Sequence, residues 1–378
     1  MPVNVSIVPC LDYSSENVRR ALSAALEPLG GLDWVEPGMT VAIKTNLVSR
    51  MKPESAAVTH PALLAALTEE LRARGARVVV GDSPGGPWTA AWVRSVYHGT
   101  GMEAVEAAGG ELNGDFGETE VTFAQGKTLH AFTYTSWLQS ADAIIDFAKL
   151  KTHGMAGMTA AVKNFFGTIP GTRKPEMHYR YPNSADFCSM LVDLALFNAP
   201  RLTLVDAVDC MEGNGPTQGK PRHMGALLAA DTPFNADLVC ARLIGMEAMD
   251  APSVAEAIRR GLCPADWRDL GIAGDVERFA IPDFEKLPVN GSTEFGTKIP
   301  FGGAFMRRAF SARPKVDAAK CIGCGKCAEV CPPKAAQVVE GRARIETKKC
   351  IRCFCCQEFC PKGAVTVHRP LLARLLAK

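Results

Sequence analysis

The chain has 378 residues, more than one compact core usually needs, so its length favours two domains over one. Hydrophobic residues make up 47% and charged residues 22%, a balance that excludes wholesale disorder. The formal net charge of +2 gives no reason to expect binding to nucleic acid or to a membrane surface.

Residues 1–280 alternate between β-branched runs and stretches with apolar residues at helical spacing. Five runs have the composition of strands, at residues 3–8, 40–45, 76–81, 143–147 and 202–205. Three stretches are predicted to be helices, at residues 60–74, 184–197 and 234–245. This alternation predicts an α/β domain with a mostly parallel sheet flanked by helices.

Polar side chains gather where the predicted strands end. In open α/β sheets the ligand crevice lies beyond the carboxyl ends of the strands, so these side chains are expected to converge on one pocket. If the chain stays extended, Lys149, Lys151 and His153 share one face and concentrate positive charge where an anionic substrate could sit. The candidates, in chain order, are Lys44, Asn46, Lys149, Lys151, His153, Lys163, Asn164, Asp206 and Glu212.

The chain changes character after residue 280. Residues 281–314 contain scattered Pro, Gly, Lys and Phe without a period and are predicted to be a connector. Residues 315–368 contain two cysteine runs with the spacing Cys-x2-Cys-x2-Cys-x3-Cys and are therefore predicted to form a small α+β two-cluster ferredoxin-like domain. Residues 369–378 are predicted to be a tail.

The second domain is defined by a cysteine repeat. Cys321-x2-Cys324-x2-Cys327-x3-Cys331-Pro recurs 29 residues later as Cys350-x2-Cys353-x2-Cys356-x3-Cys360-Pro. This is the spacing of bacterial two-cluster ferredoxins, in which the fourth cysteine of each run binds the other cluster. The predicted ligands are Cys321, Cys324, Cys327 and Cys360 for one [4Fe–4S] cluster and Cys331, Cys350, Cys353 and Cys356 for the second.

Two zinc sites are the alternative, but zinc ribbons need only C-x2-C pairs and leave the third and fourth cysteines and the prolines unexplained. Cys355 fits neither set of ligands. We interpret it as a free thiol near the second cluster, with an alternative ligand as the other possibility.

Basic residues accompany the cysteines. From Arg313 onward there are fourteen Lys or Arg and five Asp or Glu, a formal charge of +9, and two oxidised clusters would reduce it by about 4. We interpret the basic residues as charge compensation rather than a nucleic-acid surface, because no aromatic-basic stripe accompanies them.

Six short motifs stand out in the large domain: Ile43-Lys44-Thr-Asn46, Val58-Thr-His60-Pro61, Lys149-Leu-Lys151-Thr-His153, Ala161-Val-Lys163-Asn164-Phe-Phe-Gly167, Val205-Asp206-Ala and Glu212-Gly-Asn-Gly-Pro216. Together they resemble the "domain of unknown function 362" family, whose members are often followed by a two-cluster ferredoxin module. The resemblance covers roughly residues 1–250 and 315–368. It implies an iron–sulfur protein of anaerobic or redox metabolism and assigns no reaction.

Two functions are compatible with these features. In the first, a ferredoxin-dependent oxidoreductase passes electrons from an external donor through the clusters to an anionic small molecule, or to a further metal or organic cofactor, in the α/β domain. His153 would donate a proton, because its ordinary pKa is near neutrality. The other roles would be anion binding by Lys149, Lys151 and Lys163, substrate contacts by Lys44 and Asn46, orientation by Asn164, and metal binding or proton transfer by Asp206 or Glu212.

In the second, the protein is a non-catalytic electron carrier or maturation scaffold, and its large domain docks a partner enzyme. Neither a signal peptide nor a stretch of the ~18 apolar residues that cross a bilayer is recognisable, so we expect a cytoplasmic protein without a membrane span.

Overall fold

A computed structural model describes residues 2–287 and 313–368. The larger part contains a nine-stranded sheet and a separate hairpin of β5 and β6. Its strands are β1 (Val5–Pro9), β2 (Thr40–Lys44), β3 (Arg77–Gly81), β4 (Glu111–Leu112), β5 (Glu118–Thr122), β6 (Ala131–Thr135), β7 (Ala143–His153), β8 (Gly157–Thr159), β9 (Leu202–Glu212), β10 (Lys220–Ala230) and β11 (Ile272–Ala273). Its helices are α1 (Ser15–Leu26), α2 (Pro61–Ala73), α3 (Ala90–Thr100), α4 (Glu103–Ala107), α5 (Ala161–Asn164), α6 (Lys174–Arg180), α7 (Ser184–Asn198), α8 (Pro233–Leu243) and α9 (Pro252–Arg259).

The strand order in the large sheet is β11-β1-β10-β9-β7-β2-β3-β4, with β8 paired to β7. Five strand pairs are parallel, whereas β10 runs antiparallel to β1 and β9, and β8 runs antiparallel to β7. Buried apolar side chains from the strands and the surrounding helices form one continuous core. The predicted fold class, a mostly parallel sheet flanked by helices, is confirmed.

The direction of the chain across the sheet reverses between β2 and β7. From β2 the chain passes through α2 to β3 on one side, and from β7 it passes through α7 to β9 on the other. Because parallel crossovers are right-handed, α2 and α7 cover opposite faces of the sheet. Open α/β sheets bind ligands beyond the carboxyl ends at such a reversal, so this topology places the expected site after β2 and β7.

Two central strands are longer than the sequence predicted. β7 continues to His153 and β9 to Glu212, although the expected strands ended at residues 147 and 205. Pairing with β8 and β10 sustains both strands beyond their apolar runs. Asp206 therefore lies inside a strand, and Lys149, Lys151 and His153 are spaced along an extended segment whose pairing with β9 shifts register after Lys149.

The C-terminal module is small and contains two short antiparallel sheets. Its elements are β12 (Arg313–Val316), α10 (Lys326–Glu329), β13 (Ala336–Val339), β14 (Arg342–Ile345), α11 (Cys355–Glu358) and β15 (Val365–His368). β12 pairs with β15, and β13 pairs with β14. The two helices are displaced by the 29 residues of the cysteine repeat, and the predicted α+β character is confirmed.

The predicted connector is described only in part. Residues 281–287 follow the large domain, with Phe284 buried in its core, and residues 288–312 lie outside the described residues, as does the predicted tail at 369–378. The domain limits at 280 and 315 therefore stay predictions. Within residues 2–287 and 313–368, no helix is long and apolar enough to cross a membrane.

Candidate functional site

A cleft lies beyond the carboxyl ends of β2, β3 and β7 and encloses about 690 Å³, including its open mouth. The large domain supplies most of its wall, and the C-terminal module closes one side with Cys355, Glu358 and Phe359. Four of the residues predicted from the sequence line this cleft, namely Asn46, Lys151, Lys163 and Asn164.

Lys44 lies directly beneath the cleft and is fully buried. Its Nζ atom is 2.7 Å from Asp82 Oδ1 and donates hydrogen bonds to Thr45 O (2.6 Å) and Asn164 Oδ1 (3.2 Å). A Cβ atom at Gly167 would collide with both Lys44 and Asp82, so this ion pair requires glycine in the loop after α5. With three acceptors already bound, Lys44 supports the floor of the cleft rather than facing a ligand.

Lys151 and Asn46 form the next layer of the same network. Lys151 Nζ donates to Asn46 Oδ1 (2.7 Å) and Ala57 O (2.6 Å), while Asn46 Nδ2 donates to Asn164 Oδ1 (3.1 Å). Burial, reinforced by the nearby charges of Lys163 and Lys149, lowers the pKa of Lys151 well below its ordinary value. An anion in the cleft would restore the charged form of this lysine.

Asn164 is held in place from below. Its Nδ2 atom donates to Asp146 Oδ1 (2.7 Å) and to Lys44 O (2.9 Å). Burial raises the pKa of Asp146 well above its ordinary value. The predicted orienting residue is therefore itself fixed by two hydrogen bonds.

Lys163 differs from the other lysines. Its ammonium has no hydrogen bond or ion pair with any of the described residues and lies 5.6 Å from the centroid of the Phe166 ring. Burial lowers its pKa, although the negative charge of Glu358 acts in the opposite direction. Lys163 is thus the lysine best placed to bind a ligand in the cleft.

Lys149 and Asp206 form a separate network beside the cleft. Lys149 Nζ donates to Asp206 Oδ2 (2.8 Å) and Tyr13 Oη (3.0 Å), and Tyr13 Oη donates to Asp206 Oδ1 (3.0 Å). The backbone N–H of His60 also donates to Asp206 Oδ2 (3.0 Å). Neither Lys149 nor Asp206 lines the cleft, and both are saturated with local partners.

Glu212 also lies apart from the cleft, at the end of β9. It accepts a hydrogen bond from Glu285 N (3.1 Å), and its other oxygen is 4.0 Å from Arg222 Nη1. No three His, Cys, Asp or Glu side chains of the described residues are arranged to hold a single metal ion, so neither Asp206 nor Glu212 belongs to such a group.

Two ionisable residues of α6, Lys174 and His178, line the cleft and were not predicted from the sequence. Lys174 donates a hydrogen bond to Ser83 O, and His178 stacks on Phe187 with ring centroids 4.6 Å apart. Burial lowers the pKa of Lys174 to about 7 and that of His178 to about 3. Neither residue could be identified from the sequence, because α6 does not follow directly on any of the strand ends that marked the other candidates.

His153 joins the two modules. Its Nδ1 atom accepts hydrogen bonds from the N–H groups of Met155 and Ala156 (both 3.1 Å), and its Nε2 atom lies 3.0 Å from Glu358 Oε1. Burial lowers the pKa of His153 to about 4, so the ring is neutral at pH 7 and donates its Nε2–H to the Glu358 carboxylate. Burial disfavours the charged form of Glu358, but the contact with His153 and the nearby charge of Lys163 outweigh it and lower the pKa of Glu358 to about 2.

Further contacts fix the C-terminal module against the loop after β9. Three hydrogen bonds join them: Gln357 Nε2 to Asn214 O (3.1 Å), Gln218 Nε2 to Cys360 O (3.3 Å) and Thr217 Oγ1 to Glu358 O (3.3 Å). Phe359 packs so closely on Gly85 that a Cβ atom there would overlap its ring. The Gly213–Pro216 motif thus lies in a loop that contacts the second cysteine run.

The first predicted set of cysteines surrounds a cavity inside the C-terminal module. Cys321, Cys324, Cys327 and Cys360 line a space of about 350 Å³. Backbone N–H groups of Ala343 and Ala364 donate to Cys321 Sγ (3.3 Å) and Cys360 Sγ (3.2 Å). Four thiols with N–H donors directed at sulfur fit a [4Fe–4S] cluster.

The second predicted set lies closer to the cleft. The N–H groups of Ala335 and Arg352 donate to Cys331 Sγ (3.2 Å) and Cys350 Sγ (3.4 Å). Burial raises the pKa of Cys356, and the nearby thiols, among them Cys353, Cys350 and Cys331, act in the same direction. This set also fits a cluster. The ligand assignment itself stays a prediction.

Cys355 lies between this second set and the cleft. It is buried, lines the cleft, and forms a hydrogen bond with the Cys353 side chain that raises its pKa well above the ordinary value. Both interpretations, a free thiol and an alternative ligand, remain compatible with this position.

Comparison with known proteins identifies both modules. The family model described as a domain of unknown function (DUF362) matches residues 41–242, and a 4Fe-4S dicluster domain matches residues 313–361. The thylakoid-associated protein sll1697 of Synechocystis sp. is 31% identical over 294 residues, which cover 76% of this chain and 88% of that protein.

Among solved structures, the lactate racemase apoprotein from Thermoanaerobacterium thermosaccharolyticum is similar to this chain, with a TM-score of 0.38 and 13% sequence identity. The similarity covers 61% of this chain and 54% of that chain, so it spans about half the length of the racemase.

Proposed function

Because the chain belongs to the DUF362 family and carries a 4Fe-4S dicluster domain, we propose that it is an iron–sulfur oxidoreductase whose electrons reach an anionic small molecule in the cleft. The clusters supply one-electron transfer between an external redox partner and the cleft. We assign Cys321, Cys324, Cys327 and Cys360 to one cluster and Cys331, Cys350, Cys353 and Cys356 to the other.

One observation carries this proposal: the cleft is built from both modules. Cys355, Glu358 and Phe359 come from the second cysteine run, and they face Lys163 and Asn164 of the large domain. A module that served only as a carrier would have no need to complete a cleft in its neighbour. The polar groups of the cleft also leave room for a ligand instead of filling the space themselves.

The position of the two cysteine sets suggests an order of electron transfer. Ile322 and Cys324, beside the first cavity, are exposed, which would allow an external redox protein to approach the first cluster. The second set adjoins the cleft. We therefore place the first cluster next to the external partner and the second next to the bound molecule.

The residues of the large domain take distinct roles in this proposal. Lys163 binds the anionic group, Asn164 and Lys151 hold the floor of the cleft, and His153 positions the C-terminal module through Glu358. His153, Asp206 and Glu212 do not line the cleft, so we assign them no proton transfer or metal binding there.

We also propose a reducing, cytoplasmic setting in anaerobic or redox metabolism. All fourteen cysteines are free of disulfides, as expected of a protein kept in a reducing compartment. Thylakoid association is stated for the Synechocystis relative and is not carried over to this chain.

An anaerobic assay tests the proposed reaction. Iron-loaded protein receives electrons from reduced methyl viologen, and small carboxylates and phosphate esters are screened for substrate-dependent viologen oxidation. We expect Lys163→Met to lower kcat/KM for the active compound about 10- to 100-fold, because it removes a charge-assisted hydrogen bond of about 1.5–3 kcal/mol.

The matched control is Lys220→Met, which removes a lysine at the start of β10 whose side chain is 78% exposed and does not line the cleft. It should leave turnover unchanged, and both variants should keep the visible absorption that dithionite bleaches. Equal kcat/KM values in the two variants would contradict the role of Lys163. Viologen oxidation by none of the compounds, in protein with intact clusters, would favour the carrier function.

A further inference from the structure

Three polar side chains of the cleft surround one aromatic ring. The Lys163 and Lys174 ammonium groups lie 5.6 Å and 5.7 Å from the centroid of the Phe166 ring, and the His178 ring centroid lies 5.3 Å from it. All four residues line the cleft. Two separate segments, the one around α5 and helix α6, therefore bring two cations and an imidazole to the same place.

Several polar atoms at this place have no partner among the described residues. His178 is 3% exposed, yet its buried Nδ1 atom makes no hydrogen bond. The same holds for Ser83 Oγ and Thr159 Oγ1, which also belong to lining residues. Leaving a buried polar atom unpaired costs about 1–3 kcal/mol, so a cluster of such atoms points to a missing partner.

The charges around the ring favour an anionic partner. The acidic residues of the cleft wall lie beside basic groups or an imidazole, since Asp82 Oδ1 is 2.7 Å from Lys44 Nζ and Glu358 Oε1 is 3.0 Å from His153 Nε2. Among the described residues, Lys163 Nζ has no hydrogen bond or ion pair and Lys174 Nζ donates only to Ser83 O, so further N–H donors are available on both ammonium groups.

We propose that Lys163, Lys174 and His178 form an oxyanion subsite, with the Phe166 ring as one wall, that binds a carboxylate or phosphate group of the molecule reduced in the cleft. The identity of that molecule as a redox substrate rests on the proposed function, whereas the binding of the oxyanion does not.

Proton uptake is the expected signature of this subsite. Burial lowers the pKa of Lys174 to about 7, with Lys44 and Lys163 acting in the same direction and Asp82 and Glu358 in the opposite one. Part of the Lys174 population is therefore neutral at pH 7.5. A bound oxyanion favours the charged form and raises the pKa, so binding takes up protons and strengthens as the pH falls from 8 to 6.

Calorimetric titration of the iron-loaded protein under anaerobic conditions tests this proposal. The probes are acetate, for a carboxylate, and sulfate, for a tetrahedral oxyanion, because neither changes its charge between pH 6 and 8. Titrations in buffers of different ionisation enthalpy measure the protons taken up. We expect net uptake at pH 7.5, and tighter binding of one probe identifies the group that the subsite prefers.

Two variants test the named residues. Lys174→Gln should reduce the proton uptake to the part contributed by Lys151 and Lys163 and weaken the preferred anion about 10-fold or more. His178→Phe should weaken it similarly while the melting temperature stays equal or rises, since a phenyl ring can keep the stack on Phe187 and carries no unpaired nitrogen. Lys220→Met is the control.

Equal affinities in wild type, Lys174→Gln and His178→Phe, or the absence of binding by either probe, would overturn the subsite. Anion binding that depends on these residues, without viologen oxidation by any compound, would leave the subsite standing and contradict the proposed reaction. Substrate turnover that is insensitive to both variants would contradict the subsite alone.

Discussion

Replacing Lys44 with methionine is expected to lower the free energy of unfolding of the large domain by about 3–5 kcal/mol. The side chains of Lys44 and Asp82 are 0% and 4% exposed, and their charged atoms are 2.7 Å apart. Removing the lysine leaves a buried carboxylate without its counter-charge and also frees acceptors on Thr45 and Asn164. Denaturant titration followed by tryptophan fluorescence measures the loss, because all five tryptophans lie in the large domain.

Two further variants separate the ion pair from general effects of substitution. In Lys44→Met/Asp82→Asn the uncompensated charge is gone, while the amide oxygen can still accept from Leu47 N, so much of the stability should return. Arg19→Ala breaks an ion pair whose side chains are 59% and 44% exposed and should cost less than about 1 kcal/mol. If Lys44→Met lowered the free energy of unfolding no more than Arg19→Ala does, the buried ion pair would not stabilise the large domain.

Five strands and three helices of the large domain were accessible from the sequence because β-branched runs and helical spacing are local signals. The strand predicted at 40–45 occurs as Thr40–Lys44, and the helix predicted at 60–74 occurs as Pro61–Ala73. The full lengths of β7 and β9 were not accessible. Lys149 and Asp206 read as strand ends because they are charged, whereas pairing with neighbouring strands keeps both inside the sheet.

Strand β10 illustrates a second reason why parts of the fold could not be predicted from the sequence. Its sequence, Lys220–Ala230, contains no Val, Ile, Thr, Tyr, Phe or Trp, the residues that are enriched in strands. It forms a strand because β1 and β9 pair with it on both sides. Such pairing depends on contacts between distant parts of the chain, which single-sequence patterns do not record.

The candidate site likewise contains some residues that could be predicted from the sequence and others that could not. The strand-end rule identified Asn46 and Lys151 as pocket residues, and the motif around Lys163 and Asn164 was also recognised. The strand-end rule could not identify Glu358, because that residue reaches the cleft only after the C-terminal module packs on the loop after β9. Sequence analysis can therefore find the chemistry of each module but not the surface that the two modules build together.

The cluster assignment is tested most directly by replacing a cysteine that lies in one run but is proposed to bind the cluster held mainly by the other run. Cys360→Ser is expected to disturb the first cluster, although Cys360 belongs to the second run, because it lines the same cavity as Cys321, Cys324 and Cys327. We expect loss of up to about four of about eight iron atoms per chain. The electron paramagnetic resonance signals of the reduced protein should lose the same component in Cys360→Ser as in Cys324→Ser.

Cys331→Ser is the reciprocal variant and should remove the component that is lost in Cys353→Ser. Cys188→Ala, which changes a buried cysteine of the large-domain core, should keep the full iron content and both components. Tryptophan fluorescence should show that the large domain stays folded in every variant. A shared loss in Cys360→Ser and Cys353→Ser would mean that each run binds its own cluster. In that case Cys360 would not be a ligand of the cluster in the first cavity. The proposed order of electron transfer places the first cluster at the surface and the second beside the cleft, and this order would lose its structural basis.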